Sequence, residues 1–139
     1  MSTHACIAVK HDDKIKAIYC HFDGGLDHVG EVLQKHYRRY KANFLMASGY
    51  LSSLGADVEP PDGMPHSWAI PAPNVCVFYS RDRGEQGVDA VIVKDEQELL
   101  SYFSHCSYFY LMDGTTWFVS TGDEFELLST KLAIGKEVA

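Results

Sequence analysis

Two short segments concentrate side chains able to do chemistry just where strand-like runs end. The first is Ile18-Tyr19-Cys20-His21-Phe22-Asp23-Gly24. Side chains alternate in extended chain, so Tyr19, His21 and Asp23 are expected on one face. A carboxylate beside an imidazole fixes its tautomer and raises its pKa, which suits general acid–base work or metal ligation. The plainer role open to His21 and Asp23 is to tie down the turn that follows. The second segment is Tyr79-Ser80-Arg81-Asp82-Arg83-Gly84-Glu85. Two arginines flanking an acid can fork onto a phosphate or carboxylate, with Gly84 allowing close backbone approach.

Arg81 follows Tyr79 as His21 follows Tyr19. If both strands end at one rim, Tyr19, His21, Tyr79, Arg81 and Arg83 build one ligand pocket with aromatic walls and a charged lip. His21, Asp23 and Glu85 are its catalytic candidates, and His66, next to Pro65, could close over it. The same arginines and acids can equally neutralise one another as a surface turn, at ~0–1 kcal/mol per pair. His36 falls near the apolar stripe of a helix and reads as a half-buried side chain, while His4, His11, His28 and His105 belong to no constellation. Cys6, Cys20, Cys76 and Cys106 include no C-x-x-C pair and read as buried free thiols of a reducing cytoplasm. A zinc site from Cys20, His21, His66 and Cys106 would lack paired ligand spacing, so no metal is expected.

The elements that must position these groups follow from periodicity. Ala5–Val9 and Ile15–His21 form a hairpin across Asp12-Asp13. After Gly24-Gly25, the residues Leu26, Val29, Leu33, Tyr37 and Tyr40 recur at helical spacing. A second helix, Lys41–Ser48, ends at Gly49. Asp57–Pro73 holds all five prolines and reads as an ordered loop, packed down through Trp68 and Ile70. Asn74–Ser80 reads as a buried strand and Ala90–Val93 as a short one. Asp95 caps a helix that runs to about His105, with Glu98 three residues on. Tyr108–Met112 and Thr116–Ser120 pair across Asp113-Gly114. Past Asp123 strand and short helix fit equally, and fraying is expected beyond Gly135. Hairpins plus separate helices predict α+β: one domain over residues 1–139, with a largely antiparallel sheet and two to three helices packed on it.

Composition narrows the function. At 139 residues, 46% hydrophobic and 22% charged, the chain can bury a core without disulfides. Twelve basic against nineteen acidic residues give a net charge of −7, which argues against contact with a nucleic-acid backbone. The rings of Tyr108, Phe109, Tyr110, Trp117 and Phe118 therefore read as core strands rather than as a base-stacking sheet. No apolar run reaches membrane-spanning length, and Met1–Lys10 lacks signal-peptide character. A phosphate-binding loop, a G-x-S-x-G elbow and an H-E-x-x-H motif are all missing, so no cofactor is expected.

The series Ile18–Gly24, His28-Val29-Gly30, His36-Tyr37, Leu51-Ser52-Ser53-Leu54-Gly55, His66-Ser67 and Tyr79–Glu85 resembles a group of small phage and prophage proteins. The likeness covers most of the chain up to Gly84. Gly25 departs from it, standing where the group has an aromatic, so stacking at the helix entrance is not carried over. The resemblance implies a setting in the host cytoplasm. Small acidic phage accessory proteins often bind and block a host factor, defence systems included. Three readings stay open: such an inhibitor, which is not an enzyme; a small-ligand protein or hydrolase holding a nucleotide-like anion in the His21/Asp23 and Arg81/Arg83 pocket; and a homodimer joined through exposed aromatics.

Overall fold

The computed structural model describes residues 3–138, with side chains through Ile134. Ala5–His11 (β1) and Lys14–Cys20 (β2) form the expected hairpin, and Asp12 turns it in a left-handed conformation at φ 53°. β1 runs as Ala5, Cys6, Ile7, Ala8 and Val9, all buried, which marks a central strand covered on both faces. On its far side β1 pairs in parallel with Tyr108–Asp113 (β6), from Ala5 opposite Tyr108 to Val9 opposite Met112. Thr116–Ser120 (β7) returns antiparallel across Gly114, and Glu126–Leu127 (β8) ends that side.

The other edge of β2 is shared. Leu51–Ser53 (β3) joins its end through Cys20, and Val91–Val93 (β5) pairs with Ile15–Ala17. Val77–Phe78 (β4) completes the order β4-β3-β2-β1-β6-β7-β8, with β5 on β2. Among the described residues, five ladders are antiparallel and two parallel, so the architecture is α+β. No helix among them is long and apolar enough to cross a membrane.

Each face carries its own core. On the first, Ile7, Ile18, Leu51, Phe78, Tyr110 and Trp117 pack beneath a π-helical turn (Leu26–Gly30) and the helices Glu31–His36 (α1), Arg39–Ser48 (α2) and Leu128–Val138 (α5). On the second, Cys6, Ile15, Phe103 and Phe109 lie with Leu99 of Glu96–Tyr102 (α4). Burying each large apolar side chain contributes about 1.5–3 kcal/mol. The second face is covered where α4 lies, while Tyr19, Tyr50 and Tyr79 toward the β4 end stay half-exposed.

Three local expectations need correction. The stripe from Leu26 to Tyr40 is not one helix. It opens as the π turn and breaks at Tyr37, whose backbone is extended at φ −110°, ψ 93°. Tyr37 is drawn inward: its Oη donates to the Gly55 carbonyl at 2.7 Å, and its own carbonyl accepts from Trp117 Nε1 at 2.8 Å. Asn74–Ser80 is a strand only at Val77–Phe78. Tyr79–Arg83 (α3) instead coils into one helical turn, because the Asp82 carboxylate reaches back to accept the Phe78 N–H at 2.8 Å. With α3 and α5 the described residues hold five α-helices rather than two to three. α5 is helical to Val138, and Ala139 lies outside the described residues. The Asp95 cap forms as expected, its carboxylate accepting the Glu98 N–H at 2.8 Å.

Candidate functional site

Tyr19 and His21 meet at the end of β2. Residues alternate there, so Tyr19 faces opposite to the core residues Ile18 and Cys20, and His21 follows it. Tyr19 Oη lies 2.7 Å from His21 Nδ1. Burial, with Cys106, Tyr79 and Cys20 nearby, pushes the Tyr19 phenol up to about 12, so it keeps its proton at neutral pH. His4 stacks on His21 with centroids 4.6 Å apart, and its Nδ1–H donates to the His21 carbonyl at 2.8 Å. Partial burial and the His4 ring hold the His21 pKa below its usual value.

These groups belong to a longer run of rings. Phe22 touches His21 at 4.5 Å, His4 touches Tyr19 at 5.6 Å, and Tyr19 touches His105 at 5.3 Å. His105 leads to Phe103 at 6.3 Å and Phe103 to Tyr102 at 5.0 Å. Seven rings are therefore in unbroken contact, and the two at the ends, Phe22 and Tyr102, are 44% and 55% exposed. Tyr50 adds an eighth ring beside Tyr19 at 6.0 Å, its phenol likewise pushed up to about 12 by burial.

The second segment divides on α3. Tyr79 and Arg83 are four residues apart and share one side of the turn. Trp68 lies against both, 5.4 Å from the Tyr79 ring and with the Arg83 guanidinium 5.0 Å over it. The Tyr79 phenol hydrogen-bonds to Ser52, and burial and Glu85 raise its pKa. Arg83 and Glu85 are 4.0 Å apart and exposed.

Arg81 points elsewhere. It stacks 4.8 Å over Phe78, a residue of the first core, and donates to the carbonyls of Val58 at 2.6 Å and Cys76 at 2.8 Å. Two further bonds of 3.0 Å fork onto Asp82. His66 completes the clamp. The Ala72 N–H donates to its Nδ1 at 2.9 Å, so Nε2 bears the proton and faces Asp82 at 3.3 Å. Burial would raise the Asp82 pKa, but Arg81, the Phe78 N–H and His66 together bring it below the ordinary value.

The pocket drawn from spacing is thus corrected. Tyr19 and His21 do come together, and Tyr79 faces their side of the sheet. Arg81 and His66 instead fasten the proline-rich loop. Asp23 does not continue the alternation: its backbone turns left-handed at φ 55°. Asp23 lines a groove of about 360 Å³ with His28, Val32, His36, Ser53 and Asn74. His28 and His36 were legible only as a spacing: with Val32 they stand at i, i+4 and i+8 on one helical side. The zinc set also disperses, since Cys20 lies in the first core and Cys106 in the second. Among the described residues no three metal-ligating side chains gather to hold an ion.

No protein-family model matches the chain, and neither a curated protein nor a solved structure matches it.

Proposed function

We propose that this chain is a small acidic accessory protein of phage or prophage type that binds a host protein and blocks it, with defence components as the candidate class. The observation that supports binding is the row of seven rings from Phe22 to Tyr102. Phe103 is buried in the second core and anchors the row, so the rings around it are held by neighbours and lose little side-chain entropy when a partner covers them. Exposed aromatics at both ends offer large contact area, and binding hot spots are rich in such residues. Tyr19 is no activated nucleophile, because its phenol is pushed up to about 12. The setting and the host partner rest on the resemblance of the motif segments.

The test is capture from bacterial host lysate with a C-terminal tag, which keeps His4 and the ring row uncovered. Wild type is expected to recover one partner near stoichiometry. Phe22→Ala with Tyr102→Ala should weaken that capture about 10- to 100-fold, and Ile92→Ala, an exposed change on β5, should leave it intact. Failure to recover a partner, or equal capture by the double variant, overturns the proposal.

A further inference from the structure

The groove beside Asp23 is separate from the ring row and independent of the function just proposed. Among the described residues, two of the three non-glycine positions with positive φ line it, Asp23 at 55° and Asn74 at 63°. The third, Asp12, is accounted for by its hairpin turn. Asp and Asn take this backbone more readily than other side-chain-bearing residues, and here it turns both of them at the groove. A π-helical turn, another irregularity frequent at functional positions, supplies His28.

Polar residues line the groove along its length. His28 Nε2–H donates to the Leu54 carbonyl at 2.9 Å, which fixes its tautomer and leaves Nδ1 as an acceptor. His36 stands two helical turns further on, roughly 12 Å along the axis. Asp23 contributes a carboxylate, while Ser53 and Asn74 can both donate and accept. Val32, Leu54, Val75 and Val77 give the same space an apolar side.

The charge selects the ligand. Two cations bond to the stretches of chain that form the wall, and both are committed: Lys41 Nζ donates to the Ala56 carbonyl, and Arg81 to Cys76, Val58 and Asp82. An anion would meet the Asp23 carboxylate without an uncommitted lysine or arginine from these two. Adjacent hydroxyls suit the site better, since a carboxylate accepts two at once and imidazole and amide groups serve the rest. We infer that this groove binds an uncharged small molecule carrying a vicinal diol, the chemistry shared by free sugars and nucleosides.

Backbone amide NMR titration tests it, using adenosine, 2′-deoxyadenosine, adenosine 5′-monophosphate and methyl β-glucoside at millimolar concentration. Shifts clustered on the groove residues with adenosine alone assign the nucleoside source, and with the glucoside alone the sugar source. Whichever binds, Asp23→Asn should weaken it about 10-fold, because the paired acceptors are lost while asparagine still tolerates the left-handed backbone. His36→Ala, an exposed change, should weaken it as well. For the nucleoside, removal of the 2′-hydroxyl should cost about 10-fold. The inference is overturned by silence of the groove toward both adenosine and the glucoside, by tighter binding of the monophosphate, by deoxyadenosine binding as well as adenosine, or by shifts unchanged in both variants.

Discussion

Tyr19 Oη and His21 Nδ1 share a hydrogen bond of 2.7 Å, while His4 stacks on the same imidazole at 4.6 Å. Protonating His21 would place a charge on a partly buried ring and set it against His4. The ring row is therefore built around a neutral histidine.

His21 should accordingly titrate below 6.5, the usual histidine value. The unfolded chain binds a proton there before the folded one does. This contribution to stability is complete above about pH 6.5 and is lost as pH falls toward the lowered folded value. Histidine-resolved NMR titration measures the midpoint. His4→Gln, which removes the neighbouring imidazole, should bring it back up, and a wild-type midpoint at or above 6.5 would contradict the stacked arrangement.

Arg81 and Asp82 should matter for stability rather than for binding at the rings. Asp82 accepts from Phe78 and Arg81 and faces the proton of His66 Nε2. Asp82→Ala strands these donors and is expected to cost about 2–4 kcal/mol in urea unfolding. Arg81→Lys cannot rebuild the fork and should cost about 1–2 kcal/mol. Because the folded Asp82 pKa is lowered, its contribution is present above about pH 4 and fades as pH falls through the folded value. Partner capture by folded Arg81→Lys should match wild type.

Gly55 is needed for space. A Cβ there would lie 2.4 Å from the Asn74 oxygen and 2.5 Å from its carbonyl carbon, both backbone atoms unable to move cheaply. Gly55→Ala should therefore destabilise by more than ~2 kcal/mol and disturb the groove amides. Tyr37→Phe removes the hydroxyl that serves the same Gly55 carbonyl, and about 1–2 kcal/mol should be lost. Thermal or urea unfolding distinguishes the two sizes.

All four thiols should be inert in the folded protein. Burial raises each of their pKa values, with Cys106 pushed up to about 12. Reaction with a disulfide reagent at neutral pH should proceed only at the rate of unfolding. Fast labelling of any thiol without denaturant would show that its core opens.

What the amino-acid order determined by itself is local. Asp12-Asp13 and Asp113-Gly114 turn their hairpins, Gly49 ends α2, and Asp95 caps α4. In each case the deciding contact lies within a few residues, where a turn or cap has few alternatives. The ring partners Tyr19 and His21 were legible for the same reason, being two apart on one strand.

The tertiary structure decided where distant segments meet. The parallel pairing of Ala5–Val9 with Tyr108–Met112 joins chain about a hundred residues apart, and no local pattern specifies it. The same holds for the site. Arg81 answers to Val58, Cys76 and Asp82, so the guanidinium that spacing placed beside His21 turns to the first core. Asp23 and His28, five residues apart, reach one groove only because a left-handed turn and a π turn intervene and because Leu54 comes across to hold the imidazole. Side-chain direction there depends on backbone angles imposed by packing, which periodicity cannot supply.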